Sequence, residues 1–195
     1  MVKDTAYASL FAKEDIPYLQ TMAAEVRATH NNNIVDEFNL ACQKKFDDHN
    51  PILELGNRKI EFLDVSKSDD LVVNDGIAQF IRQIFGTSVV RFRYMLATDS
   101  VTAVAATDTT FPGAGTSTDM TTSGWIECLS TTLRFCGIAG TSPATFTIKS
   151  AGVMTGAGTG TLMNRNMFSN FPLTHTINVT GYVISSIVEF VPMMN

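Results

Sequence analysis

Leu19, Met22, Ala23 and Val26 recur at i, i+3, i+4 and i+7, which places them on one apolar stripe of a helix. Asp15-Ile16-Pro17 stands ahead of that stripe, with a proline in the first turn, where its missing N–H costs nothing. His30-Asn31-Asn32-Asn33 is a polar stop. A second helix is expected from about Ile34 to Phe46, with Val35, Phe38, Leu40, Cys42 and Phe46 mostly inward. The run Asp47 to Pro51 ends it, because the residue before a proline avoids the helical region. Arg58 to Leu63 reads as a short, charged strand of edge type. Asn74 or Asp75 is expected to cap a helix from Gly76 to about Phe85, with Ile77, Phe80, Ile81 and Ile84 on one face. Gly86 then stops it in a left-handed conformation.

Beyond Gly86 the period falls to two. Val89 to Leu96, Trp125 to Leu129 with Thr132 to Phe135, Thr145 to Lys149, Thr161 to Phe168, and His175 to Val191 all read as strands. Phe111-Pro112-Gly113-Ala114-Gly115 and the run Thr155 to Gly160 are turn chemistry. Short strands separated by Gly/Pro turns predict a mainly β protein: an antiparallel β-sandwich, jelly-roll-like, with a helical N-terminal region. The expected division is a helical arm or cover over residues 1–66 and a sandwich domain over 67–195 that includes the short helix at about 75–85.

Charge divides the chain in the same way. Of the 33 Asp, Glu, Lys and Arg residues, only Asp108, Asp119, Glu127, Arg134, Lys149, Arg165 and Glu189 lie beyond residue 99, a stretch that holds 19 threonines. Soluble domains usually keep about a quarter to a third of their surface charged, so a β-rich half this neutral is suited to packing against neighbours. A net charge of −5 and a pI near 5.1 argue against wrapping nucleic acid. No window reads as a membrane span, and Met-Val-Lys-Asp-Thr has no signal-peptide core. Cys42, Cys128 and Cys136 read as buried thiols. A bridge between the last two would need a hairpin, and Thr131-Thr132-Leu133 is no turn signal.

The motifs that carry chemistry are sparse. Gly156, Gly158 and Gly160 precede a strand-like segment rather than a helix, so they read as a hairpin loop and not a phosphate cradle. His30, His49 and His175 have no metal-type spacing, and no Gly-x-Ser-x-Gly elbow exists. No catalytic, cofactor-binding or metal-binding residue is assigned. An enzyme would need an acid/base set converging on His175, Glu127 or Asp108. A carbohydrate-binding sandwich would need exposed aromatics, with Trp125, Tyr94 and Tyr182 as the candidates. Arg91 and Arg93 alternate with Phe92 and Tyr94, and two arginines on one strand face read as interface or salt-bridge residues.

A longer arrangement begins at Asp70-Leu71-Val72-Val73-Asn74-Asp75-Gly76-Ile77. It continues through Phe92 to Asp99, Ala106 to Phe111, Phe146 to Val153 and Leu162-Met163-Asn164-Arg165-Asn166-Met167-Phe168. It closes on Ile177-Asn178-Val179-Thr180-Gly181-Tyr182-Val183-Ile184. This order resembles a group of virion structural proteins of tailed bacteriophages, over roughly residues 70–190. Ala97-Thr98-Asp99 stands where that group has Gly-Thr-Gly, and Lys149 to Val153 replaces its Glu-x-Gly-Leu. The resemblance implies a β-sandwich used for capsid decoration, head fibres or tail and baseplate parts, and it carries over no catalytic residue.

The expected function is therefore a non-enzymatic virion structural protein, made in a host cytoplasm. It would associate with itself as a trimer or higher ring and bind the major capsid protein as a decoration or cement protein, without nucleic acid, membrane or cofactor. The alternatives are a tail, neck or baseplate component, and a carbohydrate-binding module. The interaction residues expected are Leu19, Met22 and Val26 on the arm, together with Arg91 and Arg93. The arm's stripe either docks in a groove of a neighbouring subunit or covers one face of its own sheets.

Overall fold

A computed structural model describes residues 2–48, 52–55, 58–69, 71–86, 88, 90–111, 115–139, 144–168 and 172–190. The fold is mainly β, with antiparallel sheets and three helices. In chain order the elements are β1 (Val2–Ala12), α1 (Ile16–Thr29), α2 (Asn32–Asp48), β2 (Ile52–Leu55), β3 (Arg58–Ser68), β4 (Leu71–Val72) and α3 (Asn74–Ile84). There follow β5 (Tyr94–Thr98), β6 (Gly115–Asp119), β7 (Gly124–Leu129), β8 (Thr132–Ala139), β9 (Phe146–Ile148), β10 (Ser150–Met154), β11 (Leu162–Met167), β12 (Leu173–His175) and β13 (Thr180–Phe190). A six-stranded sheet has the order β2-β3-β1-β13-β8-β7, a five-stranded sheet the order β4-β11-β10-β5-β6, and β12 pairs with β9.

The N-terminal region is only partly helical. β1 runs between β3 and β13, pairing Val2 with Phe190 and Ala12 with Thr180, so strand pairs join residues on both sides of position 66. Period-two alternation then feeds two cores from one sheet. Ala6, Ala8 and Leu10 of β1, Tyr182, Ile184 and Val188 of β13, and Leu133 and Phe135 of β8 share a core with Met95, Ala151, Val153 and Met163 of the five-stranded sheet. Tyr7 and Phe11 of β1, Val183 of β13, and Cys136 and Ile138 of β8 face the opposite way, under α1 and α2. A bulge in the β1–β3 register, opposite Leu10 and Phe11, lets Ile60, Phe62 and Val65 all enter this second core and turns Leu63 outward.

This packing selects between the two alternatives for the α1 stripe and corrects several other expectations. Leu19, Met22 and Val26 are 0 to 6% exposed within the second core, so the stripe covers the chain's own sheet. The second helix begins at Asn32, because His30 takes the left-handed conformation that ends α1 (φ 52°, ψ 38°) and leaves room to restart. Leu40 points to solvent, and Asn39 takes the inward position, accepting from Ser185 Oγ at 2.6 Å. β3 is an eleven-residue internal strand rather than a short edge. Val73, in extended backbone, precedes α3, with no side-chain cap from Asn74 or Asp75. Gly86 is left-handed as expected (φ 67°), whereas Ile81 on the expected inner face is half exposed.

β1, β6 and β10 are strands the periodicity did not announce. The strand expected from Val89 starts at Tyr94, and Val89 lies outside the described residues, as do His49 to Pro51, Asp70, 112–114 and Val191. β7 and β8 form a hairpin across Ser130 and Thr131, with Ser130 at φ 55°. That turn was hidden because neither residue is a usual left-handed one. Its register sets Cys128 against Leu133 and Cys136 against Trp125, so no bridge forms, and Cys128 is exposed rather than buried. Thr155 to Gly160 joins the antiparallel pair β10 and β11, which makes it the expected hairpin loop.

Phe38 is the centre of the helical face, 4.7 to 6.5 Å contacts linking the rings of Phe11, Phe38 and Phe62, and Trp125 standing edge-on to Phe38 at 5.4 Å. Phe38→Ala is expected to lower unfolding free energy by about 3–5 kcal/mol and to shift Trp125 emission, read by urea titration. Leu40→Ser, on the same helix but exposed, is expected to change it by no more than about 0.5 kcal/mol.

Candidate interaction surface

α3 is set against β11 by backbone contact. Val73 N–H donates to Met163 O at 2.9 Å, and a Cβ on Gly76 would collide with the Met163 backbone. From this seat the far end of α3 holds the segment that follows it. Gln79 and Gln83, one turn apart, both donate to Val90 O, at 2.8 and 2.6 Å. The segment 90–93 is thereby fixed alongside the β7–β8 hairpin.

Between these pieces opens a cleft of about 700 Å³. Phe80, Phe92, Ile126, Leu133 and Phe135 line its apolar part, and Arg91, Arg93, Gln83, Thr121 and Thr155 its polar part. The two arginines differ in state. Arg93 donates from Nε to Asp119 Oδ2 at 2.8 Å and from Nη2 to the same oxygen, and its guanidinium lies over the Tyr94 ring at 5.5 Å. The Arg93 hydrogen bond, with help from Thr121, holds the Asp119 carboxyl down at about 2. Arg91 is exposed and has no carboxylate partner among the described residues. Ile81, Phe85 and Val90 are 47, 76 and 52% exposed, which leaves apolar surface on and just beyond the end of α3.

β6 forms one edge of the five-stranded sheet, and within Gly115–Asp119 only Asp119 is charged. The nearby edge β7 is covered differently: Arg27 of α1 donates to Gly124 O, and Gln20 donates to Ser123 Oγ at 3.4 Å. A polar furrow of about 220 Å³, lined by Thr116 to Asp119 and by Gln20, runs beside β6.

The remaining sequence candidates are each engaged separately. Glu127 is buried under exposed His30, which approaches it at 3.1 Å. Asp108 pairs with Arg165 at 3.1 Å. Arg165 is 1% exposed, also donates to the Thr102 and Ala103 carbonyls, and lies over Phe111 at 5.8 Å. His175 is buried, with Nδ1 3.1 Å from Thr180 Oγ1 and its ring edge-on to Phe146 and Tyr182. Trp125 and Tyr182 are 0 and 2% exposed, so neither presents a sugar-stacking face. Burial pushes the Cys42 thiol up to about 12 and Cys136 well above its ordinary value. Among the described residues no group of three or more His, Cys, Asp or Glu is placed to hold a metal, and no helix is long and apolar enough to cross a membrane.

Of the five expected interaction residues, the fold brings Arg91 and Arg93 together at the cleft and puts Leu19, Met22 and Val26 behind the six-stranded sheet. Sequence reasoning missed Gln79 and Gln83. Their i, i+4 spacing on α3 was visible, but their common acceptor was not.

Two predictions test the buried polar groups. Asp108→Ala leaves a buried guanidinium unpaired and is expected to cost about 3 kcal/mol by urea titration. Burial holds His175 below its ordinary 6.5, so the unfolded chain takes up the proton first. Its contribution is therefore whole above pH 6.5 and is lost as pH falls from 6.5 toward the lowered native value. His175→Gln is expected to flatten that part of the stability–pH curve.

Comparison with protein-family models, curated proteins and solved structures finds no match to this chain.

Proposed function

We propose that this chain is a non-enzymatic structural protein of a tailed-phage virion. In this reading its two larger sheets form a jelly-roll-like sandwich that associates with copies of itself, as a trimer or higher ring, and binds the major capsid protein as decoration or cement. The observation that carries the proposal is β6. It is an edge strand of Gly, Thr and Ser that ends on one charge, Asp119, already paired with Arg93, and it lacks the lysine, proline or bulge that often blunts an edge, in the half of the chain with least charge. Pairing with a second copy would satisfy its outward backbone groups, and closed symmetry would consume every such edge. Half-exposed Ile81 and exposed Phe85 offer further apolar surface for a neighbour.

A tail, neck or baseplate position uses the same surfaces and is the second reading. The carbohydrate-binding reading loses support because two of its three aromatics, Trp125 and Tyr182, are buried, which leaves half-buried Tyr94 alone in the cleft.

Light scattering on a sizing column tests the proposal. The full chain is expected to run as a closed oligomer, and Ser117→Lys, which puts a charge in the middle of the edge, is expected to yield monomer with an unchanged melting temperature. A full-length monomer at every concentration, both alone and with capsid shells, would exclude the reading.

A further inference from the structure

We propose that the cleft between α3 and the β7–β8 hairpin is a binding site for an amphipathic monocarboxylate, a small molecule with one carboxylate on an aliphatic or aromatic tail. The inference is independent of the assembly reading, because it rests on the cleft and not on the open edge of β6, with which it shares only the Asp119 side chain. A volume of about 700 Å³ lies within the range of about 300–1,000 Å³ typical of small-molecule sites. Phe80, Phe92, Leu133 and Phe135 give the tail an apolar lining, and among the described residues no acidic side chain contributes to that lining.

The headgroup follows from the arginines. Arg93 is already neutralised by Asp119, which leaves the Arg91 guanidinium as the one charge there without a partner among the described residues. A planar fork of N–H donors matches one carboxylate with two parallel hydrogen bonds. One free positive charge suits one negative charge, and a net charge of −5 on the whole chain disfavours a polyanion. The cleft is also held open without a ligand. Gln79 and Gln83 fix the Val90 carbonyl, Asp119 fixes Arg93, and Gly76 seats α3, so little ordering remains for binding to accomplish.

The test uses the full chain with dodecanoate as probe, read by calorimetry and by amide NMR shifts. Saturable binding is expected, with shifts centred on Phe92, Leu133 and Phe135. Affinity should fall about fourfold for each methylene removed from the tail. Dodecylammonium, with the same tail and the opposite charge, is expected to bind at least about tenfold more weakly. Arg91→Glu should weaken dodecanoate by a similar factor while leaving the ligand-free melting temperature unchanged, since Arg91 is exposed. Absence of saturable binding up to about 1 mM would overturn the proposal. Equal affinity for the two probes, equal affinity for Arg91→Glu, or shifts confined to other residues would overturn it as well.

Discussion

Eleven consecutive cross-strand pairs join β1 to β13, the first described strand to the last, and the two cores hang from that seam. Side chains of β1 and β13 alternate between a core shared with the five-stranded sheet and a core shared with α1 and α2. A register slip of one residue would exchange the two sets and present Phe11 to the space shaped for Leu10. Register along this seam therefore decides the packing on both faces at once. The pairing also closes nearly the whole chain into one loop, as the contact between Ser186 and Asp4 across 182 positions shows. Contacts this distant in sequence make for slow folding relative to helical proteins of similar size.

Buried polar groups reinforce the register. Asp4 on β1 accepts from Asn164 and Asn166 of β11, at 2.7 and 2.8 Å, and from Ser186 of β13 at 3.0 Å. Asn164 also accepts from Val153 N–H at 2.9 Å, which ties β10 to the same network. Apolar surfaces tolerate sliding, whereas these directional bonds are satisfied in one alignment of the two sheets. Arg165, between the two asparagines and pointing the opposite way, performs a similar task for the segment containing Thr102, Ala103 and Asp108. The Asn-Arg-Asn run of β11 thus holds a sheet interface on one side and a long connection on the other.

The surfaces left over have different chemistry. β6 offers a sheet edge with almost no charge, suited to another strand. The cleft offers a partly open, mixed apolar and polar lining with one guanidinium, Arg91, that has no carboxylate partner among the described residues, which suits the proposed small anion with an apolar tail. The two share only Asp119, which ends β6 and pairs with Arg93, so the proposed assembly and the proposed ligand binding are testable by separate mutations.

By itself the sequence determined the local elements whose signals are short-ranged. The stripe Leu19, Met22, Ala23 and Val26 made α1, Gly86 ended α3, and the glycines at 156, 158 and 160 made a hairpin loop. It also determined the mainly β, low-charge character of the second half, because composition needs no partner to be read. Tertiary structure decided which strands pair and which faces are buried. Val2–Ala12 alternates small and polar residues too weakly to announce a strand, and became one because β13 and β3 flank it. The apolar stripe of α1 was equally able to meet a neighbour or its own sheet, and only the presence of Trp125, Cys136 and Ile138 opposite it settled the matter. The cleft was illegible for the same reason. Phe80, Arg91, Ile126 and Leu133 come from three separate stretches of chain, and nothing local in any of them records that the others are near.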